Sequence, residues 1–394
     1  MEGGCDLAGQ RALGTRLALI GTIGSNEDGW RAKAVRPTRS GPVDTEDQEG
    51  TPLSSSTLKI QAPPAATATP RAQKVNRCPL CEGNASTLVH RVNVRRHDLE
   101  RAFELRKCSA CDLVYVDPRP SDEDLARLYD GDFYFSTGWS YAALAATVIE
   151  LIQSRRRHRV ERYMKPGRLL DIGSGDGSFV HHMARHGWDA TGIDFSPSAL
   201  EFAGRTNSGG HFLLGSLEDH DLPSQSLDLI TLWQVLEHIG EPRRLLGRCH
   251  DLLRRNGMIV AAVPNIDGLS SRLTGERWWG LDVPRHLVLY SPQTLRRSLE
   301  QAGFTVLRIR HLSMQYDPYA LLHSSLDWLF TQRHFLSDFA KRQVADNMSR
   351  SEYLYNLAVM VALAPPLAPL SLLTTTAGAC MGHGGFIEVH ARRD

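Results

Sequence analysis

Residues 169–177 read Leu169-Leu170-Asp171-Ile172-Gly173-Ser174-Gly175-Asp176-Gly177, and Ser178-Phe179-Val180-His181-His182-Met183 follows in a helical pattern. An apolar pair, an acid, three glycines at alternate positions and a helix start spell a strand, a tight turn and a helix. Glycine permits positive φ and lets a ligand approach the backbone. The first helical turn offers unpaired N–H groups to an anionic group. The spacing is G-x-G-x-G, with Ser178 where the dinucleotide fingerprint has its third small residue. One unit later Thr191-Gly192-Ile193-Asp194 ends a second apolar run. A carboxylate at that place accepts both hydroxyls of a ribose. The pair points to a nucleoside bound at the carboxyl ends of parallel strands. An ordinary strand–helix turn is the competing reading.

The second constellation is Cys78-Pro79-Leu80-Cys81 and Cys108-Ser109-Ala110-Cys111, separated by 26 residues. Each Cys-x-x-Cys can wrap a turn about one face of a metal, and two such turns complete a tetrahedral thiolate site suited to structural zinc. Leu88-Val89-His90-Arg91-Val92 between them alternates as a strand does, and His90 and His97 read as surface residues. The remaining cysteines, Cys5, Cys249 and Cys380, leave the total at seven. An odd count with two such pairs suggests a reducing compartment and a metal rather than disulfides. A pair of reduced hairpin turns is the bland alternative.

Four blocks carry a family resemblance: Asp171 to Gly177, Gly192-Ile193-Asp194, Ser226-Leu227-Asp228-Leu229-Ile230 and Leu253-Arg254-Arg255-Asn256-Gly257. In order and spacing they resemble the class I S-adenosylmethionine-dependent methyltransferases, over about residues 155–312 plus the last ten. The cysteine block followed by Leu113-Val114-Tyr115-Val116-Asp117-Pro118-Arg119-Pro120 is similar to the zinc-ribbon extension on a bacterial branch of that family. The resemblance implies S-adenosylmethionine as cofactor, a doubly wound, mostly parallel seven-stranded sheet in the order 3-2-1-4-5-7-6 with the seventh strand antiparallel, and zinc in the ribbon.

Methyl transfer from a sulfonium is an in-line displacement, so the protein mainly positions the reactants and excludes water. Backbone at Gly173, Gly175 and Gly177 is expected to face the donor's amino-acid end, and Asp194 its ribose. Asp171 would hold the amino group or order the loop, and Phe195 would pack on adenine. The stretch Ser216-Leu217-Glu218 lies where the family places an adenine contact, although the acid falls on Glu218 rather than on Ser216. Trp233-Gln234 ends the fourth strand, where an aromatic face or a carbonyl could stabilise the sulfonium.

A hydroxyl or amine acceptor must lose a proton, and neutral imidazole suits that work near pH 7. Pro284-Arg285-His286 places His286 first. Leu236-Glu237-His238-Ile239, similar to the corresponding stretch of ubiquinone-biosynthesis O-methyltransferases, offers His238 and Glu237. Each histidine also has a structural reading, and Glu237 with His238 alone is too few ligands for a divalent ion. Arg285 could pair with an anionic substrate group. Trp278-Trp279 reads as an apolar or sugar-stacking wall, or as core.

These groups need elements to position them. Residues 1–72 are rich in Gly, Pro, Ser, Thr and Ala with Trp30 the only aromatic. They read as a disordered tail, with a mis-called start and a targeting segment as alternatives. The apolar stretch Leu17–Ile23 is short, and Glu2 and Asp6 precede it, so it makes no convincing signal peptide. Residues 73–120 form the zinc ribbon and 121–165 a helical lid or linker. Ser121 caps a short helix there, Phe133-Tyr134-Phe135 either closes over the ligand or packs in the core, and Arg155-Arg156-Arg157-His158-Arg159 suggests phosphate binding but reads first as a solvated helix face, since no aromatics interleave it and Glu161 follows. Residues 166–394 alternate strands and helices, which argues for a doubly wound α/β sheet. Insertions at 266–290 and 313–383 leave the carboxyl ends of strands, the rim that shapes a substrate pocket.

Residues 353–382 hold no charged side chain, yet Pro365, Pro366 and Pro369 divide them into apolar pieces of 12 and 13 residues, below the ~18 needed to span a bilayer. They read as a broken apolar hairpin that covers a greasy pocket or makes a peripheral membrane contact, or as a buried helix pair. With 394 residues the chain can hold several domains, and its net charge of +1 gives no electrostatic case for nucleic acid. The expectation is O-methylation of a small-molecule, sugar or lipid-linked acceptor by a cytoplasmic, membrane-associated enzyme. An RNA methyltransferase that uses its ribbon to touch RNA, and a non-catalytic scaffold, are the rivals.

Overall fold

A computed structural model describes residues 74–394 except 97–98, 122–123, 126–127, 129–141, 206–208, 312, 342–343 and 345–347. The tail at 1–72, His97 and the aromatic run Phe133–Phe135 therefore lie outside the described residues.

The cysteine pairs each form a knuckle. Glu82 N–H donates to Cys78 O at 2.9 Å and Asp112 N–H to Cys108 O at 3.0 Å. The chain leaves both turns through a left-handed residue, Glu82 at φ 61° and Asp112 at φ 63°. Strands β1 (Ser86–Arg96) and β2 (Leu99–Cys108) make the hairpin between the knuckles, and β3 (Val114–Asp117) returns along β2. Val92, Val94, Phe103, Leu105, Val114 and Val116 bury one face of this small sheet. Their partners, Trp278, Leu281 and Leu289, come from the insertion at 266–290.

The large sheet is built from β4 (Arg168–Ile172), β5 (Asp189–Asp194), β6 (His211–Leu214), β7 (Leu227–Trp233) and β8 (Leu253–Pro264). The insertion after β8 carries the short β9 (Val288–Leu289), which pairs with β3 and completes a four-stranded sheet β1-β2-β3-β9. Strands β10 (Phe304–Arg310) and β11 (Phe386–Arg393) finish the large sheet, whose order is β10-β11-β8-β7-β4-β5-β6. Numbered within that sheet, this is 3-2-1-4-5-7-6, and β11 runs antiparallel to both neighbours, as the resemblance implied. The reversal of winding direction at β4 and β7 opens the crevice in which such sheets bind ligands.

Helices cover the sheet for ordinary reasons of pattern. Pro242–Leu252 opens on a proline at its first turn, and Leu245, Leu246, Cys249 and Leu252 fall on its buried face. Pro292–Gln301 starts at a Ser291–Thr294 capping box. Helix Ala142–Glu161 lies ahead of β4.

The segment 353–382 departs from expectation. It is one continuous helix, Arg350–Cys380, with the three prolines inside it, and it is neither a broken hairpin nor a buried pair. Packing on both sides of the prolines outweighs the lost N–H donors. Val359, Met360, Leu363 and Leu367 meet Leu326, Phe330 and Phe335, and Ser371, Thr375 and Gly378 are buried further on. Elsewhere the helix exposes Leu354, Val361, Leu370 and Leu373. By length and composition alone it is long and apolar enough to cross a membrane.

Candidate active site

The glycine loop begins where β4 ends. N–H groups of Gly173 and Ser174 both donate to Ile193 O, at 2.8 and 3.0 Å, which ties the loop to the end of β5. Gly173 lies at φ +69°, and a Cβ on it would come within 2.5 Å of Val235 Cγ2. Gly177, at φ +71°, would bring a Cβ within 2.6 Å of the Phe212 ring. Both positions therefore require glycine for conformation and for space. The helix Ser178–Arg185 starts directly behind the loop, and Gln153 Nε2 donates to Ser178 Oγ at 2.9 Å, bringing helix Ala142–Glu161 over it.

The two acids flank this loop. Asp194 Oδ2 accepts from Gly175 N–H at 2.8 Å and Oδ1 from Ser196 N–H at 2.9 Å. Burial raises its pKa against those backbone bonds. The Phe195 N–H is a third backbone donor to it, so the carboxylate orders the turn and keeps one of its four lone-pair sites for a ligand hydroxyl. Asp171 Oδ1 accepts from Thr231 Oγ1 at 2.6 Å across β4 and β7. Burial pushes its carboxyl up to about 7, although Thr231 and Arg156 pull the other way. Phe195 stands half-exposed beside Asp194, whereas Leu217 is buried. Glu218 lies on the surface, 3.6 Å from Arg244.

At the end of β7, Gln234 adopts φ 58° and donates its N–H to Ala262 O at 2.9 Å. A non-glycine residue held there is strained, and such strain gathers at functional positions. Trp233 carries the Arg156 guanidinium on its ring face, 4.1 Å from the centroid.

Glu237, His238 and His286, read in the sequence as alternatives, converge. One ligand atom from each lies within 4.8 Å of the other two, and the imidazoles meet edge to face at 4.7 Å. Each Nδ1 is within hydrogen-bond distance of a carbonyl, His238 to Arg285 O at 2.9 Å and His286 to Gly280 O at 2.8 Å. Nδ1–H donation there fixes the tautomer and leaves the Nε2 lone pair of His286. Burial pulls His238 down to about 3 and lowers His286 as well, so both are neutral near pH 7. Burial pushes the Glu237 carboxyl up to about 8, and neither of its oxygens has a hydrogen-bond partner. Such a trio can take a proton or present two nitrogens and an oxygen to a divalent ion. Arg285 is buried and paired with Asp282 at 2.5 Å. Trp278 is core, while Trp279 stacks toward Tyr316 and packs near Phe386.

Cys78, Cys81, Cys108 and Cys111 form the second cluster, with all four sulfurs within 4.8 Å of one another. Cys78–Cys111 and Cys81–Cys108 each span 3.5 Å. That matches, within a few tenths of an ångström, the ~3.8 Å edge of a thiolate tetrahedron with ~2.3 Å metal–sulfur bonds. Burial pushes the Cys78 thiol up to about 11 and raises Cys111 too. The thiols fit a cation that would replace their protons.

Sequence reasoning missed Thr231, Gln153 and Arg310, and set aside Arg155, Arg156 and Arg159. In the structure these four arginines line a single cavity of about 360 Å³. A signal was available: Ile152, Arg155, Arg156 and Arg159 share one helix face at i, i+3, i+4 and i+7.

Residues 145–309 match the family described as "Methyltransferase domain". The chain is 33% identical over 114 residues to the mitochondrial ubiquinone biosynthesis O-methyltransferase of Schizosaccharomyces pombe, covering 27% of this chain and 41% of that protein. It is 28% identical over 134 residues to the malonyl-[acyl-carrier protein] O-methyltransferase of Serratia marcescens, covering 34% and 52%. The chain thus spans about half the length of these curated relatives. Among solved structures, phosphoethanolamine N-methyltransferase 2 of Haemonchus contortus in complex with S-adenosyl-L-methionine superposes with a TM-score of 0.44, at 17% identity over 71% of this chain and 62% of that one. The family likeness thus lies in residues 145–309.

Proposed function

We propose that this methyltransferase domain transfers a methyl group from S-adenosylmethionine to an oxygen of a small-molecule or lipid-linked acceptor. The observation that carries the reading is the loop Gly173–Gly177 locked to the Asp194 carboxylate through Gly175 N–H. It is a backbone cradle beside an acid placed to meet a ribose hydroxyl. The donor's amino-acid end would lie over the loop, its ribose on Asp194 and its adenine between Phe195 and Leu217. Asp171 would order the loop through Thr231.

The donor is already activated, so the chain supplies alignment, exclusion of water and a place for one proton. As the acceptor oxygen forms its bond to the methyl carbon, its proton would pass to Nε2 of His286. The Gly280 carbonyl stabilises the imidazolium through Nδ1–H. His238 would position His286 edge to face. A second reading is favoured by the buried, unpartnered Glu237 carboxylate: Glu237, His238 and His286 would hold a divalent cation.

Zinc held by Cys78, Cys81, Cys108 and Cys111 would be structural. The exposed apolar face of Arg350–Cys380 supports contact with a lipid surface and a greasy acceptor. The free cysteines support a cytoplasmic, reducing location. The test is incubation of extracts with isotopically labelled donor, followed by mass spectrometry. A labelled O-methyl product that requires intact Gly173 and Asp194 supports the reading. Transfer to nitrogen or to RNA, or no binding of S-adenosylhomocysteine in calorimetry, overturns it.

A further inference from the structure

The rim beside the glycine loop holds a cationic pocket that the donor-binding reading touches only at Trp233 and Gln234. Its volume is about 360 Å³, and it is floored by Trp233, Gln234 and Ala262 at the carboxyl ends of β7 and β8. One wall is the helix face bearing Arg155, Arg156 and Arg159. The opposite wall is the antiparallel pair β10–β11, where Arg310 lies opposite Glu388 in register.

Charge in the pocket is unbalanced. Among the described residues, four arginines line it against one carboxylate, Glu388. Glu388 is committed to Arg159 at 2.7 Å and lies 2.8 Å from His390 Nε2. Arg156 is held by Gln153, by Gln315 and by the Trp233 ring. No ion pair or hydrogen bond is seen for Arg155 or Arg310 among the described residues. The cations oppose one another: desolvation lowers the Arg159 pKa, and Arg310 and Arg156 add to that effect while Glu388 opposes it. Gathering like charges in a cleft is costly unless something answers them. The overall net charge of +1 shows that this concentration is local.

We propose that this pocket is the acceptor subsite and that it recognises a phosphoryl or diphosphoryl group, with Arg155 and Arg310 as the principal ligands. Guanidinium forks match phosphate oxygens in pairs. Arg156, stacked on Trp233, lies on the pocket's floor. Trp279, which stacks toward Tyr316 on the pocket wall, is followed by Gly280, whose carbonyl holds His286. The segment that would carry the base therefore packs against a residue of the anion pocket's wall. The inference rests on the methyl-transfer reading for the word acceptor, but the anion site stands or falls separately.

The experiment titrates inorganic pyrophosphate into the full chain saturated with S-adenosylhomocysteine, at low ionic strength, for wild type, Arg155→Gln, Arg310→Gln and the double variant. Wild type binds pyrophosphate. The double variant loses about tenfold or more in affinity, while its affinity for S-adenosylhomocysteine stays within about twofold. A second arm uses vesicles with and without phosphatidic acid. Arginine-dependent binding to them as well as to pyrophosphate assigns the group to a lipid headgroup, and binding to pyrophosphate alone assigns it to a soluble phosphoester. The proposal is overturned if wild type takes up S-adenosylhomocysteine but neither phosphate source. It is equally overturned if the variants bind pyrophosphate unchanged, or if donor affinity falls in step with it, which would give the arginines to the donor's carboxylate. Pyrophosphate binding without S-adenosylhomocysteine binding would instead sink the methyl-transfer reading and leave the anion site. Arg155 is on the surface, so its variant keeps the fold, which thermal denaturation verifies.

Discussion

Leu287 donates its N–H to the carbonyl oxygen of Glu237 across 2.8 Å. Its own carbonyl accepts from Val116 N–H at 3.0 Å. One backbone unit therefore ties the exit of β7 to the residue after His286, and ties both to strand β3 of the cysteine-bearing sheet. The ribbon is not a separate appendage. Cys78, Leu80, Cys108 and Leu113 belong to the same apolar cluster as Ile230, Leu246 and Tyr290.

Removing one thiolate should be felt beyond the ribbon. The wild-type chain is expected to carry about one zinc per molecule, and Cys78→Ser to carry none and melt at lower temperature. Metal analysis with thermal denaturation checks this. A metal-free wild type as stable as the metal-loaded protein contradicts it.

Gly173→Ala forces a Cβ into Val235 and holds alanine at φ +69°. A cost on the order of 2 kcal/mol is expected, together with loss of donor binding. Calorimetry with S-adenosylhomocysteine reads the second effect, and an alanine variant that binds normally would remove the close-approach argument.

Asp171 gives a signed pH dependence. Its folded carboxyl is raised to about 7, whereas an unfolded aspartate titrates near ~3.9. Between those values the unfolded chain has released a proton that the folded chain keeps. Stability is therefore lost as pH rises through that window, and the loss levels off above 7. Asp317, also pushed up to about 7 by burial, acts with the same sign. The comparison is thus a difference: Asp171→Asn should gain on wild type as pH goes from 5 to 8, by on the order of a few kcal/mol at most. Parallel melting curves across that range would refute it.

His286→Ala should lower turnover by about a hundredfold or more while S-adenosylhomocysteine still binds. Single-turnover transfer from labelled donor reads the first quantity and calorimetry the second. Equal activity would remove His286 from the chemistry. A wild type that loses turnover to a chelator and regains it with a divalent ion would favour the metal reading of the trio.

Leu370 and Leu373 stand exposed on the Arg350–Cys380 helix. Leu370→Glu with Leu373→Glu should abolish co-sedimentation with phospholipid vesicles and leave thermal stability within about 1 kcal/mol. Unchanged sedimentation would set the lipid contact aside.

Short-range spacing alone determined a good deal here. Gly173, Gly175 and Gly177 announce their turn because positive φ excludes most side chains. Cys-x-x-Cys announces a knuckle because two sulfurs at that spacing face one point. Strand and helix alternation announced a doubly wound sheet, and its strand order was what the resemblance implied. Tertiary structure decided what depends on partners far away in the chain. Arg155 and Arg159 face a cavity because Arg310 and Glu388, more than 150 residues later, form its other wall. Glu237 and His286 become one cluster only when Leu287 pairs with Glu237. The prolines of Arg350–Cys380 fail to break the helix because Phe330 and Phe335 pack its flank. Local pattern records what one turn or one face demands of its own residues. Which face meets which neighbour depends on long-range burial, and no local window contains it.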